Sequence, residues 1–382
     1  MRGLKASLCV LVVAVAVFSQ TPVQRYGNLS VEGNRIIGDN GQAAQLRGMS
    51  FFWSQWSGEY WNSDVVSWLA SDWKVDLVRA AMGVDESTEG APAYLDDPQG
   101  NRQKVQTVVD KAIAKGLYVI IDWHDHNAHQ HESQAIAFFE EMAREYGDEP
   151  NVIYEIYNEP QEVSWSGVVK PYAERVISAI RAIDPDNLIL VGTPRWCQDV
   201  DVAAADPINA TNIAYTLHFY AASHKASFRT KAQNALNNDV ALFVSEFGTC
   251  EYNGDGYVDE AETNTWFSFL DQHKISWANW SVFDKDESAS ALKPGSSPNG
   301  GWSSADLTQS GTFIRNKLRE YASGNGGQTY YDLSTSTTGS GTVTPAEGSY
   351  ESNSSVTLSA EPAQGWVFDG WGGDASGSTD QV

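Results

Sequence analysis

The sequence predicts an α/β protein, a (β/α)8 TIM barrel followed by a small C-terminal β-rich module, and three observations carry that expectation. Eight short apolar runs alternate with longer segments of helical period, the pattern of βα units around a parallel sheet. The repeats extend over roughly 280 residues, close to the roughly 250 usual for such barrels. Beyond Ser323-Gly324-Asn325-Gly326-Gly327 the period changes to short β-like runs punctuated by Gly, Pro and Ser. A doubly wound open sheet is the alternative, but no Gly-rich phosphate loop follows any strand, which weighs against its nucleotide-binding forms.

Element by element, the chain opens with Arg2 and Lys5 ahead of an apolar run from Leu8 to Phe18. That run is well short of the about 20 residues a membrane span needs, so residues 1–19 read as a signal peptide rather than an anchor. The expectation is a soluble mature protein, secreted to an extracellular or periplasmic space. Asn28 to Arg47 reads as a hairpin with its turn at Gly38-Asp39-Asn40-Gly41, joining Arg35-Ile36-Ile37 to Ala44-Gln45-Leu46. Strands are expected to begin near Leu46, Val75, Leu117, Val152, Leu188, Ile213, Ala241 and Ile275. Helices are expected at 63–71, 101–116, 131–147, 168–184, 198–205, 224–237, 259–273 and 308–322, with clear stops at Lys115-Gly116 and Asp184-Pro185. The barrel domain is placed at 26–323, a linker at 324–328 and the module at 329–382. Gly365-Trp366-Val367-Phe368-Asp369-Gly370-Trp371 makes the module resemble small bacterial β-repeat modules with a GWxFxGW core, here without their closing strand and so read as incomplete.

Composition bounds the partners. Twenty-five Lys+Arg against 49 Asp+Glu give a net charge of −24, which excludes nucleic acid and anionic membrane surfaces as partners. Charged residues make 19% and hydrophobic ones 42%, enough for a large core. The chain holds 14 Trp, 16 Tyr and 14 Phe. Tryptophan stacks well on flat sugar faces, yet from composition alone core filling is its commoner use. With Cys9 lost in the leader, Cys197 and Cys250 meet an oxidising compartment, where a disulfide and two buried thiols remain equal alternatives.

In such a barrel, reactive groups lie at the C-terminal strand ends. Those ends read Val78-Arg79-Ala80, Asp122-Trp123-His124, Ile156-Tyr157-Asn158-Glu159-Pro160, Leu217-His218-Phe219-Tyr220, Val244-Ser245-Glu246-Phe247-Gly248 and Ala278-Asn279-Trp280-Ser281. A lone glutamate there is most often a salt-bridge or cap residue. Two of them, Glu159 and Glu246, at equivalent ends and surrounded by polar side chains, instead suggest the paired carboxylates that cleave a glycosidic bond.

On these residues the chain resembles glycoside hydrolase family 5, cellulase-type retaining (β/α)8 enzymes. The matches are Tyr157-Asn158-Glu159-Pro160, Ser245-Glu246-Phe247-Gly248, Val78-Arg79, Asp122-Trp123-His124 and His218-Phe219-Tyr220. Trp277-Ala278-Asn279-Trp280-Ser281 and Asp284-Lys285-Asp286-Glu287-Ser288 resemble its bacterial endoglucanase branch, and the likeness runs in order from Asn28 to Tyr321. The resemblance implies Glu159 as acid/base and Glu246 as nucleophile, about 5–5.5 Å apart. It implies that Asn158 holds the sugar 2-hydroxyl, that Arg79 and Tyr220 keep Glu246 ionised and oriented, and that His124 and His218 hydrogen-bond the sugar and the acid. Trp280 is the implied platform beside the cleavage point, with Trp56 and Trp196 at more distant subsites and Lys285 and Glu287 on sugar hydroxyls. Phe52 departs from the family, where a His often stands.

Two further signals favour no metal. Glu251 to Glu262 resembles an EF-hand loop, but it starts with Glu and stands alone, so an acidic loop capping the next helix is the preferred reading. His124, His126, His129 and His131 cluster without a Cys or acidic partner at ligand spacing. The expected protein is a monomeric endo-β-1,4-glucanase acting on cellulose-like β-1,4-glucan without cofactor. A mannanase or xyloglucanase, or a non-catalytic carbohydrate-binding protein, is the alternative.

Overall fold

Eight parallel strands close into a barrel: β1 (Arg47–Phe51), β2 (Leu77–Gly83), β3 (Tyr118–His124), β4 (Val152–Glu155), β5 (Ile189–Gly192), β6 (Ile213–Tyr220), β7 (Leu242–Gly248) and β8 (Trp277–Val282). The computed structural model in which they are seen describes residues 6–12, 20–325, 330–351 and 356–373. Each strand begins at or just after its expected residue. Helices follow them: α1 (Ser63–Trp68), α2 (Pro98–Lys115), α3 (Glu132–Tyr146), α4 (Lys170–Arg181), α5 (Val200–Ala205), α6 (Ala226–Asn237), α7 (Glu260–His273) and α8 (Gln309–Glu320). Strands covered by side chains within and helices without are buried on both faces, which is why they read as apolar runs.

Local chemistry sets the helix ends. At α2 the Asp97 side chain accepts from the Gly100 amide at 2.9 Å, Pro98 takes the first turn, and Gly116 ends the helix at φ 65°. Such an N-cap contributes about 1 kcal/mol. The last helix is tied back to the first βα unit through Asp72, which accepts from Arg315 Nε at 2.7 Å and Nη2 at 3.0 Å and also pairs with Arg319. Five tryptophans, Trp73, Trp123, Trp266, Trp277 and Trp302, are wholly buried.

The lower barrel is apolar. Leu77, Tyr118, Ile120, Ile153, Leu190, Ala214, Phe243 and Ala278 form one cluster, floored by Leu29, Ile36, Ala44 and Leu46. The floor corrects the expected hairpin. Its ladder forms between Leu29–Glu32 and Arg35–Gly38, whereas the expected pairing is reduced to one bridge, Ile37 to Ala43. Gly33, at φ 61°, supplies the tight turn, and Ala44 and Leu46 are drawn under the barrel instead.

The chain divides into two compact units, 21–319 being one and 320–382 with 1–20 the other. In the second, Tyr330–Thr338 pairs with Glu347–Glu351, and Gly341–Thr344 with Ser359–Pro362, both antiparallel. Val343, Leu358, Ala360 and Trp371 form its core. Of the expected leader, Ala6–Val12 is a strand between Tyr330–Thr338 and Trp366–Gly373. The remainder of that leader, most of the linker and the chain beyond 373 lie outside the described residues.

Cys197 and Cys250 are both buried and free, which decides the open alternative in favour of thiols. Burial pushes the Cys250 thiol up to about 12 and Cys197 well above its ordinary value, so neither offers a thiolate near neutrality. Alkylation followed by peptide mapping should leave both unmodified in the native protein and label both after unfolding without reductant.

Candidate active site

Above the apolar floor the same inward stripe turns polar. Side chains alternate along a strand with period two, so Leu77 leads to Arg79, Ile120 to Asp122 and His124, Ile153 to Glu155, and Ala214 to Thr216, His218 and Tyr220. On β7 the ladder with β6 shifts between Phe243 and Glu246, and that irregularity turns the sequence neighbours Ser245 and Glu246 both toward the site.

Arg79, wholly buried, sits at the centre. Its Nε donates to Glu155 Oε2 at 2.7 Å, its Nη1 to Glu246 Oε2 at 2.9 Å and its Nη2 to Asn158 Oδ1 at 2.7 Å. Asp122 Oδ2 lies 2.9 Å from Nη2. Burial opposes this cation, but three carboxylates outweigh it and hold the guanidinium charged. The second Glu246 oxygen accepts from Tyr220 Oη at 2.9 Å, so both its oxygens are fixed. Gly248 stands opposite Tyr220 across the ladder, and a Cβ there would come 2.2 Å from the Tyr220 ring.

Because Asn158 Oδ1 accepts from Arg79, its amide nitrogen is turned toward His124 Nε2, 3.5 Å away. His124 Nδ1 lies 2.6 Å from Asp122, and its ring stacks on Trp280 at 5.3 Å and 7°. Burial and the Arg79 charge keep His124 well below its usual pKa and hence neutral.

Glu159 projects from the segment after β4. His218 Nδ1 lies 2.8 Å from its Oε1, and His126 Nδ1 3.7 Å from its Oε2. Burial raises its pKa, with His126 and Arg79 opposing. The segment is clamped from behind. A Cβ on Gly192 would meet the Tyr157 carbonyl at 2.2 Å, and Cys197 Sγ donates to the Asn158 carbonyl at 2.8 Å. Arg195, Trp196 and Cys197 are consecutive non-glycine residues in the left-handed region, with φ of 56°, 57° and 57°. Each costs about 1–2 kcal/mol. The bonds Arg195 N to Gln161 O and Trp196 N to Pro160 O, both 2.9 Å, hold that turn and leave Trp196 38% exposed.

Two cavities, of about 430 and 270 Å³, share Glu159, Glu246 and Tyr220 in their walls. Trp196 lines the first; Trp56, Trp280 and the Lys285–Glu287 ion pair line the second. One carboxylate oxygen of Glu159 and one of Glu246 lie within 4.8 Å of each other and of a His218 ring nitrogen. All twelve expected site residues therefore fall in this cleft or directly behind it.

Sequence reasoning missed Trp53, His126, Tyr252 and Asn253 in the walls, and Glu155 and Ser245 beneath them. Glu155 was readable, since it follows the inward Ile153 in phase. Ser245 is likewise in phase with the inward Phe243, but reading Glu246 as inward assigned its neighbour to the opposite face, and nothing local announces the irregularity in β7 that turns both inward. Phe52 stacks on Phe283 at 4.6 Å and packs against Trp280 at 5.2 Å, so an apolar ring here joins an aromatic wall. The acidic loop is spent on protein donors: Asp259 caps α7 through the Glu262 amide at 3.0 Å, Asp255 accepts from Ser288 Oγ at 3.1 Å, and Glu262 pairs with Arg229. The four histidines diverge, His129 to Tyr157 Oη at 2.7 Å and His131 to Asp125 at 2.8 Å.

The raised pKa of Glu159 has a consequence for stability. A carboxyl with a raised folded value contributes fully below its unfolded value, and that contribution is lost as pH rises through the folded one. Glu159→Gln removes the buried charge while keeping a donor for His218. Its Tm should exceed that of wild type on the alkaline side of the Glu159 titration, where that charge is present, and the gap should close as pH falls toward about 4, measured by calorimetry across pH.

The family model for cellulase (glycosyl hydrolase family 5) matches residues 37–286, and that for the divergent InlB B-repeat domain matches residues 331–382. Endoglucanase Z of Dickeya dadantii is 54% identical over 296 residues, 77% of this chain and 66% of that protein. Endoglucanase A of Evansella cellulosilytica is 46% identical over 288 residues, 74% of this chain and 58% of that one, so the chain spans about two thirds or less of either relative. Among solved structures, the catalytic domain of Thermobifida fusca endoglucanase Cel5A superposes with a TM-score of 0.75 at 38% identity, covering 78% of this chain and all (100%) of that one. A variant of the same domain in complex with cellotetraose gives 0.74 at 37%, with the same coverage of 78% and 100%. With its barrel, its paired carboxylates and the family model in register over residues 37–286, the chain belongs to glycosyl hydrolase family 5.

Proposed function

We propose that the chain is a secreted, retaining endo-β-1,4-glucanase that hydrolyses internal bonds of cellulose-like chains. The observation that carries this reading is the pair Glu159 and Glu246, with one carboxylate oxygen of each within 4.8 Å of the other where two open cavities meet. Retaining enzymes hold their carboxyl groups about 5–5.5 Å apart, whereas inverting ones need about 6.5–9.5 Å to admit a water. A bond cut at the junction leaves sugar on both sides, the requirement for internal cleavage. The relative in complex with cellotetraose supports a β-glucan as substrate. Secretion is supported by the basic and apolar pattern of residues 1–19, and no helix among the described residues is long and apolar enough to cross a membrane.

Glu246, fixed by Arg79 and Tyr220, attacks the anomeric carbon while Glu159 gives its proton to the departing oxygen. The glycosyl ester on Glu246 is then opened by water, whose proton returns to Glu159. The Asn158 amide is placed to donate to the hydroxyl next to the reacting carbon. Trp280 is the stacking platform at the cleavage point, Trp56 and Trp196 serve the two arms of the cleft, and Lys285 with Glu287 meets sugar hydroxyls.

Hydrolysis of carboxymethyl-cellulose, mannan and xyloglucan by wild type, Glu159→Ala and Glu246→Ala tests this. Wild type should act on carboxymethyl-cellulose, and each variant should lose about 10²–10⁴-fold or more in kcat. Full activity in either variant would refute the carboxylate roles. Activity confined to mannan or xyloglucan would move the substrate to another glycan. Gly248→Ala, which displaces Tyr220, should lower kcat about 10²-fold with KM little changed, measured on a soluble cello-oligosaccharide.

A further inference from the structure

Behind the two carboxylates runs a buried chain of hydrogen bonds that ends on Glu159. Ser245 Oγ donates to Glu155 Oε1 at 2.6 Å, His218 Nε2 lies 2.9 Å from Ser245 Oγ, and His218 Nδ1 lies 2.8 Å from Glu159 Oε1. Glu155 and Ser245 are wholly buried and touch neither cavity.

The direction of the chain follows from its far end. Arg79 can only donate, and its Nε fixes Glu155 Oε2 as an acceptor at 2.7 Å. The Ser245 hydroxyl therefore spends its single hydrogen on Glu155 Oε1, at the short distance of a charge-assisted bond. Its oxygen then has only lone pairs for His218, so Nε2 carries the ring proton. His218 is neutral, since burial lowers its pKa to about 4. Nδ1 is then bare, and the bond of 2.8 Å at that nitrogen must be donated by the Glu159 carboxyl. The groups facing His218 from the surrounding elements are Glu155 of β4, Glu159 beyond it, Ser245 and Glu246 of β7, Arg79 of β2, His124 of β3 and His126 after it.

We propose that Glu155 and Ser245 are positioning residues that fix the tautomer of His218 and thereby hold on Glu159 the proton that the departing sugar receives. The inference rests on Glu159 being the acid/base and adds what keeps it loaded. In the first step the C1–O bond breaks, the C1–Oε bond to Glu246 forms, and the Glu159 proton goes to the leaving oxygen. The bare Nδ1 then faces a carboxylate, two sets of lone pairs in contact. That repulsion draws a proton from the incoming water as it attacks C1 and frees Glu246. The chain behind Glu159 ends the cycle with the protons it began with.

The test is kcat/KM against pH for wild type, Ser245→Ala and Ser245→Thr, on a cello-oligosaccharide and on dinitrophenyl β-cellobioside, whose leaving group needs no proton. Without the hydroxyl, His218 is free to carry its proton on Nδ1 and donate to ionised Glu159. The alkaline limb on the oligosaccharide should then fall by about one pH unit, a tenfold loss above it. The dinitrophenyl substrate should change by less than about twofold in the glycosylation step, and Ser245→Thr should restore the limb. A purely structural role would lower Tm without moving the limb. An unmoved limb in Ser245→Ala, with Glu159→Ala inactive, overturns the inference; full activity in Glu159→Ala overturns the acid/base reading beneath it. Nitrogen-15 imidazole spectra of the wild type decide the matter even if Ser245→Ala does not fold: a proton on Nε2 supports it and one on Nδ1 refutes it.

Discussion

Everything in the cleft hangs from one guanidinium. Arg79 is wholly buried and serves Glu155, Glu246, Asp122 and the Asn158 amide at once. Removing one partner of a buried pair costs about 3–5 kcal/mol, because the other charge is left without water or counter-ion. Here a single cation faces three such groups, so their positions are interdependent. The planar fork matters as much as the charge: it spaces Glu246 and Asn158 on one side and Glu155 on another, which a lysine ammonium could not do. Glu155 then anchors the Ser245–His218 chain, so the guanidinium reaches Glu159 as well, through three intervening side chains.

Two different solutions hold the two carboxylates. Glu246 lies within a strand, and the ladder, the irregularity before it and the bare Gly248 face under Tyr220 set its place. Glu159 lies past a strand end and has no ladder. Its segment is pinned instead by contact with Gly192, by the Cys197 thiol and by a turn of three left-handed residues. That turn is strained, and the strain is sustained because Gln161 and Pro160 carbonyls bind it. Burying Cys197 under Asn158 gives the thiol a structural use that a disulfide would have removed.

The fold was legible because each level of the sequence agreed. Apolar runs marked strands, Gly116 and Pro185 marked stops, and the eightfold alternation left few topologies. Polar residues at strand ends then marked the rim, and the order of residues alone placed Glu159, Glu246, Arg79 and His218 on it. The hairpin was misread because Gly38-Asp39-Asn40-Gly41 is a sound turn sequence whose flank, Ala44 to Leu46, gains more by entering the barrel floor. Ser245 was passed over because taking Glu246 as inward assigns its neighbour to the opposite face; Ser245 is in phase with the inward Phe243, and it is Glu246 that the register shift brings in beside it. Tyr252, 71% exposed, lay in a loop with no period to read. The tryptophans divide by place rather than type: Trp73 and Trp266 fill the core, while Trp53 and Trp280 hold the His124 ring between an edge and a face.

The switch from floor to site occurs within single strands. On β3, Tyr118 and Ile120 belong to the apolar floor, and two residues on Asp122 meets Arg79. On β7, Phe243 is floor and Ser245 is already in the hydrogen-bonded layer. The dry floor beneath therefore desolvates the polar layer from below while the cleft stays open above. That asymmetry is what the chemistry needs. Water must reach C1 from the cleft to open the glycosyl ester, but it must not reach the Arg79, Glu155 and Ser245 bonds, where it would compete for the donors that set Glu246 and His218. A barrel closed below by Leu29, Ile36, Ala44 and Leu46 satisfies both conditions, which ties the displaced hairpin at one end of the barrel to the carboxylates at the other.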